Sequence, residues 1–155
     1  MFQKNIGAEK ALQKIKQFCA YQERNHQEVK DKLYSYGLYK KDVETIMAQL
    51  IEENFLNEER FAIAFAGGKF RINKWGRIKI KYELKQKAVS DYCIRIALRS
   101  IDESDYIKTI QQLINDKSTS LRQEKNLFIK KQKILRYLTQ KGFESTLVND
   151  FIKED

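Results

Sequence analysis

One apolar pattern is written three times along this chain. Val29, Leu33, Leu38, Val43 and Ile46 recur 51 residues later as Ile80, Leu84, Val89, Ile94 and Ala97, and 105 residues later as Ile134, Leu138, Phe143, Val148 and Phe151. In the same register Gly37 falls on Ala88 and then on Gly142. Matched apolar positions at a period of roughly 50 residues mark tandem units, each of which buries its apolar face against its own members and its neighbours. The spacing predicts an all-α fold: an elongated array of three tandem three-helix repeats over residues 8–56, 57–101 and 102–155.

The local signals agree with helix, and proline, the strongest helix breaker, is absent. Ala11, Leu12, Ile15, Phe18 and Cys19 share one face of a first helix. Asn25 with Glu28 three residues on is a capping box that opens a second helix, and Gly37 stands where a left-handed residue would close it. Val43, Ile46, Met47 and Leu50 mark a third. Asn57 caps a helix through Phe61, Ile63, Ala64 and Phe65 to Gly67–Gly68 or beyond, and Ser90 caps Asp91–Ser100. Asp102 or Ser104 caps the helix of Ile107, Ile110, Leu113 and Ile114. Lys117–Ser120 is the expected loop, followed by a long helix over Leu121–Lys141 and a short closing one. Arg77–Leu84 alternates apolar and polar residues, the period of a strand. Its repeat counterparts do not alternate, so the segment is expected to be helical, with Ile80 and Leu84 on one side and Arg77, Lys81 and Lys85 on another.

Several function classes find no support. His26 stands alone, expected in an exposed loop, so no histidine pair exists for a metal or a proton relay. No GxxxxGK[ST] or GxGxxG occurs, so no cofactor or nucleotide site is expected. Glu52–Glu53 and Glu58–Glu59 flank a helix end and a helix start, where the latter pair complements the helix dipole. An enzymatic role is therefore not expected. Cys19 and Cys93 form no CxxC, lie on apolar faces and fit a reducing, cytoplasmic setting. No apolar run reaches the roughly 18 residues of a membrane span, and Met1–Lys10 lacks the apolar core of a secretory signal.

The net charge of +9 is concentrated. Residues 69–87 carry eight basic residues against Glu83, and residues 122–141 carry seven against Glu124, while the rest of the chain is neutral or acidic. Two such blocks suggest a surface that meets something negative. The candidate contact residues are Lys69, Arg71, Lys74, Arg77, Lys81 and Lys85 in the second repeat, and Lys130, Lys131, Lys133 and Arg136 in the third. Trp75, between Lys74 and Gly76, reads as a hydrophobic staple at a helix entry, although its ring could also stack on a base.

Three separated segments carry a family resemblance: Asn57-Glu58-Glu59-Arg60-Phe61-Ala62; Gly76-Arg77-Ile78-Lys79 with Glu83-Leu84-Lys85-Gln86-Lys87; and Lys133-Ile134-Leu135-Arg136-Tyr137-Leu138 with Lys141-Gly142-Phe143. In this order, and across residues 8–151, they resemble the RecX family of recombination regulators. The resemblance implies three tandem three-helix repeats in a cytoplasmic bacterial protein that works without a cofactor. It implies a monomer that binds the RecA recombinase filament and the single-stranded DNA within it, with free DNA bound weakly. The implied outcome is suppression of ATP hydrolysis and strand exchange, or filament disassembly. The sequence departs from the family at Ala88, where glycine is usual. Alanine in a left-handed turn costs about 1 kcal/mol, so a different helix end is expected there. It departs also at Arg24-Asn25-His26, where Asn25 replaces a common serine cap. Two other readings stay open from the residues alone: a helix-turn-helix-type or non-specific DNA-binding protein acting without RecA, and a helical scaffold for an acidic protein.

Overall fold

The computed structural model describes residues 4–152. Residues 1–3 and 153–155, which include the start of the segment read for a secretory signal and the far limit given to the third repeat, lie outside it. Among the described residues there are nine α-helices and no strand: α1 Ala8–Tyr21, α2 His26–Ser35, α3 Lys40–Glu52, α4 Glu58–Asn73, α5 Arg77–Gln86, α6 Asp91–Arg99, α7 Glu103–Ser120, α8 Leu127–Gln140 and α9 Ser145–Ile152. They pack as three successive triplets.

The helix starts are set by side chains that satisfy the free amides of the first turn. Asn25 accepts from the Glu28 amide at 2.7 Å while Glu28 accepts from the Asn25 amide at 3.2 Å, the full capping box. Asn57, Ser90 and Asp102 cap α4, α6 and α7, so Asp102 rather than Ser104 begins the seventh helix. Arg77–Gln86 is helical, as the repeat register requires. The left-handed turn after the second helix of each repeat is present in all three copies, with φ of 84° at Gly37, 61° at Ala88 and 99° at Gly142. Ala88 thus adopts the strained conformation instead of ending α5 differently.

Three expectations are corrected. Lys117–Ser120 is the last turn of α7, because serine and threonine are weak helix formers but not breakers. The loop lies after Ser120 instead, and α8 begins at Leu127, where Asn126 accepts from the Ile129 amide at 3.2 Å. His26 is not in an exposed loop; it is the half-buried first residue of α2, placed there by the Asn25 cap.

The buried residues form two separate cores. One gathers Ala11, Ile15, Cys19, Val29, Leu33, Leu38, Val43, Ile46, Met47, Leu50 and Leu56, all within the first three helices. The other runs without a break through α4–α9, from Phe61 to Ile152. Leu33, Leu84 and Leu138, equivalent by register, are fully buried. At the end of the third copy Ile152 is buried and Phe151 only partly so; Phe18, Phe65 and Ile107 are also half-buried, while Ile63 faces solvent.

The second and third repeats are locked by direct backbone contact. The Gly76 amide donates to Lys141 O at 2.8 Å, and the Ile78 amide donates to Gly142 O at 3.0 Å. A Cβ on Gly76 would collide with the Gly142 backbone, and one on Gly142 would collide with Lys79. The Arg77 amide donates to the Tyr106 hydroxyl at 3.0 Å, and that hydroxyl donates to Glu144. Two first-turn amides of α5, those of Arg77 and Ile78, are therefore satisfied by the next repeat, which explains a helix start with no side-chain cap. Phe70, Tyr106 and Phe143 stack in series behind this joint.

The joint between the first and second repeats is looser. The Asn25 turn and the Ala88 turn line a cleft of about 270 Å3 with His26, Gln27, Lys30 and Met47 on one side and Glu58, Lys87 and Val89 on the other. No backbone hydrogen bond links these two turns among the described residues. The principal polar tie is the ion pair of Arg60 with Glu23.

Candidate nucleic-acid interface

The lysines of the two basic blocks meet at the second joint. Phe65 of α4 and Trp75, just before α5, pack edge to face at 6.5 Å between centroids. Lys69 lies over both rings, 5.6 Å from Phe65 and 4.9 Å from Trp75; Lys79 lies 4.5 Å from Trp75, and Lys87 lies 5.6 Å from Phe65. Each ring face attracts a cation, and the half-buried aromatics hold the ammonium groups along one surface. Lys74 closes α4 in a left-handed conformation, φ 57°, which turns the chain toward Trp75 and the joint.

Lys141 carries this surface into the third repeat. Its Nζ donates to Asn73 O at 3.2 Å and sits 5.8 Å from the Tyr137 ring. Burial, and then the charges of Lys79 and Lys74, lower its pKa below the ordinary lysine value. On the far side of Tyr137, Lys117 approaches the ring at 4.8 Å. Lys117, Lys133, Arg136, Tyr137, Leu121 and Gln140 then line a shallow cleft of about 210 Å3. Contact by contact, a track of cations interleaved with Phe65, Trp75 and Tyr137 runs from α4 across the joint to α8. Among the described residues, Lys69, Lys74, Lys79, Lys87, Lys117 and Lys141 have no carboxylate partner; in the track only Lys133 is paired, with Glu124 at 3.6 Å. Like charges held together without counter-charges repel one another, and a polyanion relieves that repulsion.

The sequence-based candidates divide accordingly. Lys69, Lys74, Lys133 and Arg136 lie in the track. Lys81 and Lys85 are exposed on the opposite flank of α5 from Lys79 and Lys87, roughly 120° or more round the helix at about 100° per residue. Arg71 sits on another side of α4, over Gly67, in a cavity that includes Asp102 and Asp105. Lys130 and Lys131 stand at the start of α8. Arg77 is a strut of the joint: its guanidinium lies 3.9 Å over the Tyr106 ring and pairs with Glu103 at 3.2 Å. Its Nε lies 3.3 Å from Glu144, an ion pair off the hydrogen-bonding direction. Lys79, Lys87, Lys117 and Lys141 were not among the candidates. Lys79 in α5 and Lys87 at its C-terminal cap, eight residues apart, carry a sequence signal; Lys117 and Lys141 join through tertiary contact alone.

Among the described residues no cluster of His, Cys, Asp or Glu could hold a metal, and no helix is long and apolar enough to cross a membrane.

The comparisons with known proteins converge. A family model described as RecX, second three-helix domain, matches residues 57–98. The regulatory protein RecX of Clostridium perfringens is 30% identical over 84% of this chain and 61% of its own length. The RecX of Clostridium botulinum is 32% identical over 84% of the chain and 61% of its own length, and that of Lactobacillus johnsonii is 31% identical over 88% and 50%. The chain thus spans about three fifths, or less, of these curated relatives. The crystal structure of RecX from Lactobacillus salivarius superposes with a TM-score of 0.85 at 22% identity, covering 95% of both chains. A second crystal structure of regulatory protein RecX gives 0.83 at 22% identity, over 96% of this chain and 72% of that one. The repeat, the three matched segments, the matched three-helix domain and the fold thus agree in likening the chain to the RecX family.

Proposed function

We propose that this protein is a regulator that binds the RecA–single-stranded DNA filament and restrains its ATP hydrolysis and strand exchange. The observation that supports this reading most directly is the track of unpaired lysines interleaved with Phe65, Trp75 and Tyr137 across the second joint. Its run of cations suits a phosphate backbone, and its half-buried rings suit passing bases. Lys69, Lys74, Lys79, Lys87, Lys117, Lys133, Arg136 and Lys141 meet phosphates, while Arg77 holds the two halves of the track in line. Lys81, Lys85 and Lys131 lie off the faces that carry the track and meet acidic protein surface, while Lys130, two turns before Tyr137 on the same face of α8, prolongs the track. Binding requires no cofactor and no chemistry by the chain itself. A helix-turn-helix mode is less suited to this geometry, because the first turn of the most basic helix, α5, is closed off inside the joint rather than free to enter a groove.

The test is RecA ATPase on single-stranded DNA with this protein titrated in, at several salt concentrations. The rate should fall with added protein, and the triple charge reversal Lys74→Glu, Lys79→Glu, Lys141→Glu should need at least tenfold more protein for the same effect. Apparent affinity should drop steeply with salt for the parent chain and less steeply for the variant. An unchanged ATPase rate with the parent chain overturns the proposal.

A further inference from the structure

The third repeat departs from the other two at one point. By register, Asn25, Gly76 and Lys130 are equivalent. Helices α2 and α5 begin one residue after that position, whereas α8 begins three residues before it, at Leu127. The added turn is Leu127, Phe128, Ile129 and Lys130. It is well founded: Asn126 caps it, and Glu124 in turn accepts from the Asn126 amide at 3.1 Å. Yet Leu127 is 69% exposed, Phe128 71% and Ile129 41%. Three consecutive large apolar side chains in water on a rigid turn are unusual for a surface and mark a place of contact.

The location narrows the role. In the first repeat this register position faces the Ala88 turn, and in the second it grips the Gly142 turn. Among the described residues, the same position in the third repeat grips no turn of another repeat. At the other end of the array the Gly37 turn is already covered by the chain itself: the Ile6 amide donates to Tyr36 O at 3.2 Å, and a Cβ on Gly37 would collide with Lys4 and Asn5. Among the described residues the added turn is therefore left uncovered.

The surroundings narrow the occupant. Arg122, Lys125, Lys130 and Lys131 flank the turn, and Glu124 is engaged by Lys133 and the Asn126 amide. A partner must therefore be acidic. A second copy of the chain is not, at a net charge of +9, and its complementary end is covered. Nucleic acid is acidic but fits poorly. Leu127 and Ile129 have no ring face for a base, and three successive side chains fan over about 200° of helix rather than forming a stacking platform. Aliphatic groups bury well in an apolar pocket of a protein.

We propose that Leu127, Phe128 and Ile129 form an apolar anchor that seats in a carboxylate-rimmed apolar pocket of a protein partner. On the reading above, on which this identification rests, the partner is a RecA subunit of the filament. The anchor gives the protein a grip on the filament's protein component, separate from the lysine track that holds the DNA.

The test is the triple variant Leu127→Gln, Phe128→Gln, Ile129→Gln, which keeps helix-forming residues at exposed positions. Circular dichroism and thermal melting should match the parent chain, and Leu127→Met, Phe128→Leu, Ile129→Met is the conservative control. Affinity for the RecA–single-stranded DNA filament should fall at least tenfold in the glutamine variant and recover in the control, while affinity for free single-stranded DNA stays within twofold. Equal loss on filament and free DNA would mean that the turn meets bases, and overturns the anchor. An undiminished filament affinity also overturns it. A self-associated parent chain that turns monomeric in the variant, with filament binding unchanged, shows a contact between copies and overturns it as well. A parent chain that fails to bind the filament at all sinks the RecA reading instead, and the partner named here with it.

Discussion

Tyr106 concentrates the second joint in one side chain. It is fully buried, its ring lies between Phe70 and Phe143 with Arg77 over it, and its hydroxyl accepts from the Arg77 amide while donating to Glu144. Tyr106→Phe keeps the ring and removes the hydroxyl, leaving a buried amide without its acceptor, so it should cost about 1–3 kcal/mol in urea unfolding. Burial first, and then the hydrogen bond to Glu144, raise the phenol's pKa above the ordinary tyrosine value. A raised folded pKa means that this contribution is complete below the unfolded value, about 10, and is lost as pH rises beyond it. The stability gap between parent and variant should therefore hold to about pH 10 and narrow above, as pH-dependent denaturation would show. Little of this could be read beforehand. Arg77 looked like one more cation of a basic block, because its carboxylate partners Glu103 and Glu144 lie 26 and 67 positions away in sequence, and only the docked turns bring them to it. The place of Lys141 is hidden in the sequence for the same reason, since its neighbours Lys74, Lys79 and Asn73 come from the preceding repeat.

At the level of helices and turns, what could be read was whatever depended on near neighbours. The caps at Asn25, Asn57, Ser90 and Asp102 act over three residues, and the sequence shows them plainly. The repeat register corrected the strand-like alternation of Arg77–Leu84, because it compares one helix with two others in the same environment. The boundary between α7 and α8 lies elsewhere than expected, because Ser118, Thr119 and Ser120 continue α7 and the cap that starts α8 is Asn126. The turn after α5 shows tertiary demand prevailing over local preference: Ala88 holds φ 61° although its Cβ disfavours that conformation. Ala88→Gly should relieve this strain and raise the unfolding free energy by up to about 1 kcal/mol, measured by chemical denaturation. A fall in stability would show that the alanine methyl contributes packing in the cleft worth more than the strain it causes.

On the scale of the molecule, the two cores make two mechanical units out of three repeats. Leu33→Ala and Leu138→Ala remove equivalent, fully buried side chains, and each should cost roughly 2–5 kcal/mol. In calorimetry the first should lower a transition belonging to α1–α3, and the second one belonging to α4–α9. A single transition shifted equally by both would show that the cleft between Asn25 and Ala88 couples the units more tightly than its contacts suggest. The lysine track crosses only the tight joint, so its charges keep their spacing while the first repeat can adjust. That tight joint rests on Gly76 and Gly142, two glycines 66 positions apart with room for no side chain between them. Neither position can drift alone over evolutionary time. A lineage that loses one must rebuild the seam on both faces together, so the pair should vary jointly or hardly at all, while the alanine-sided joint is free to diversify.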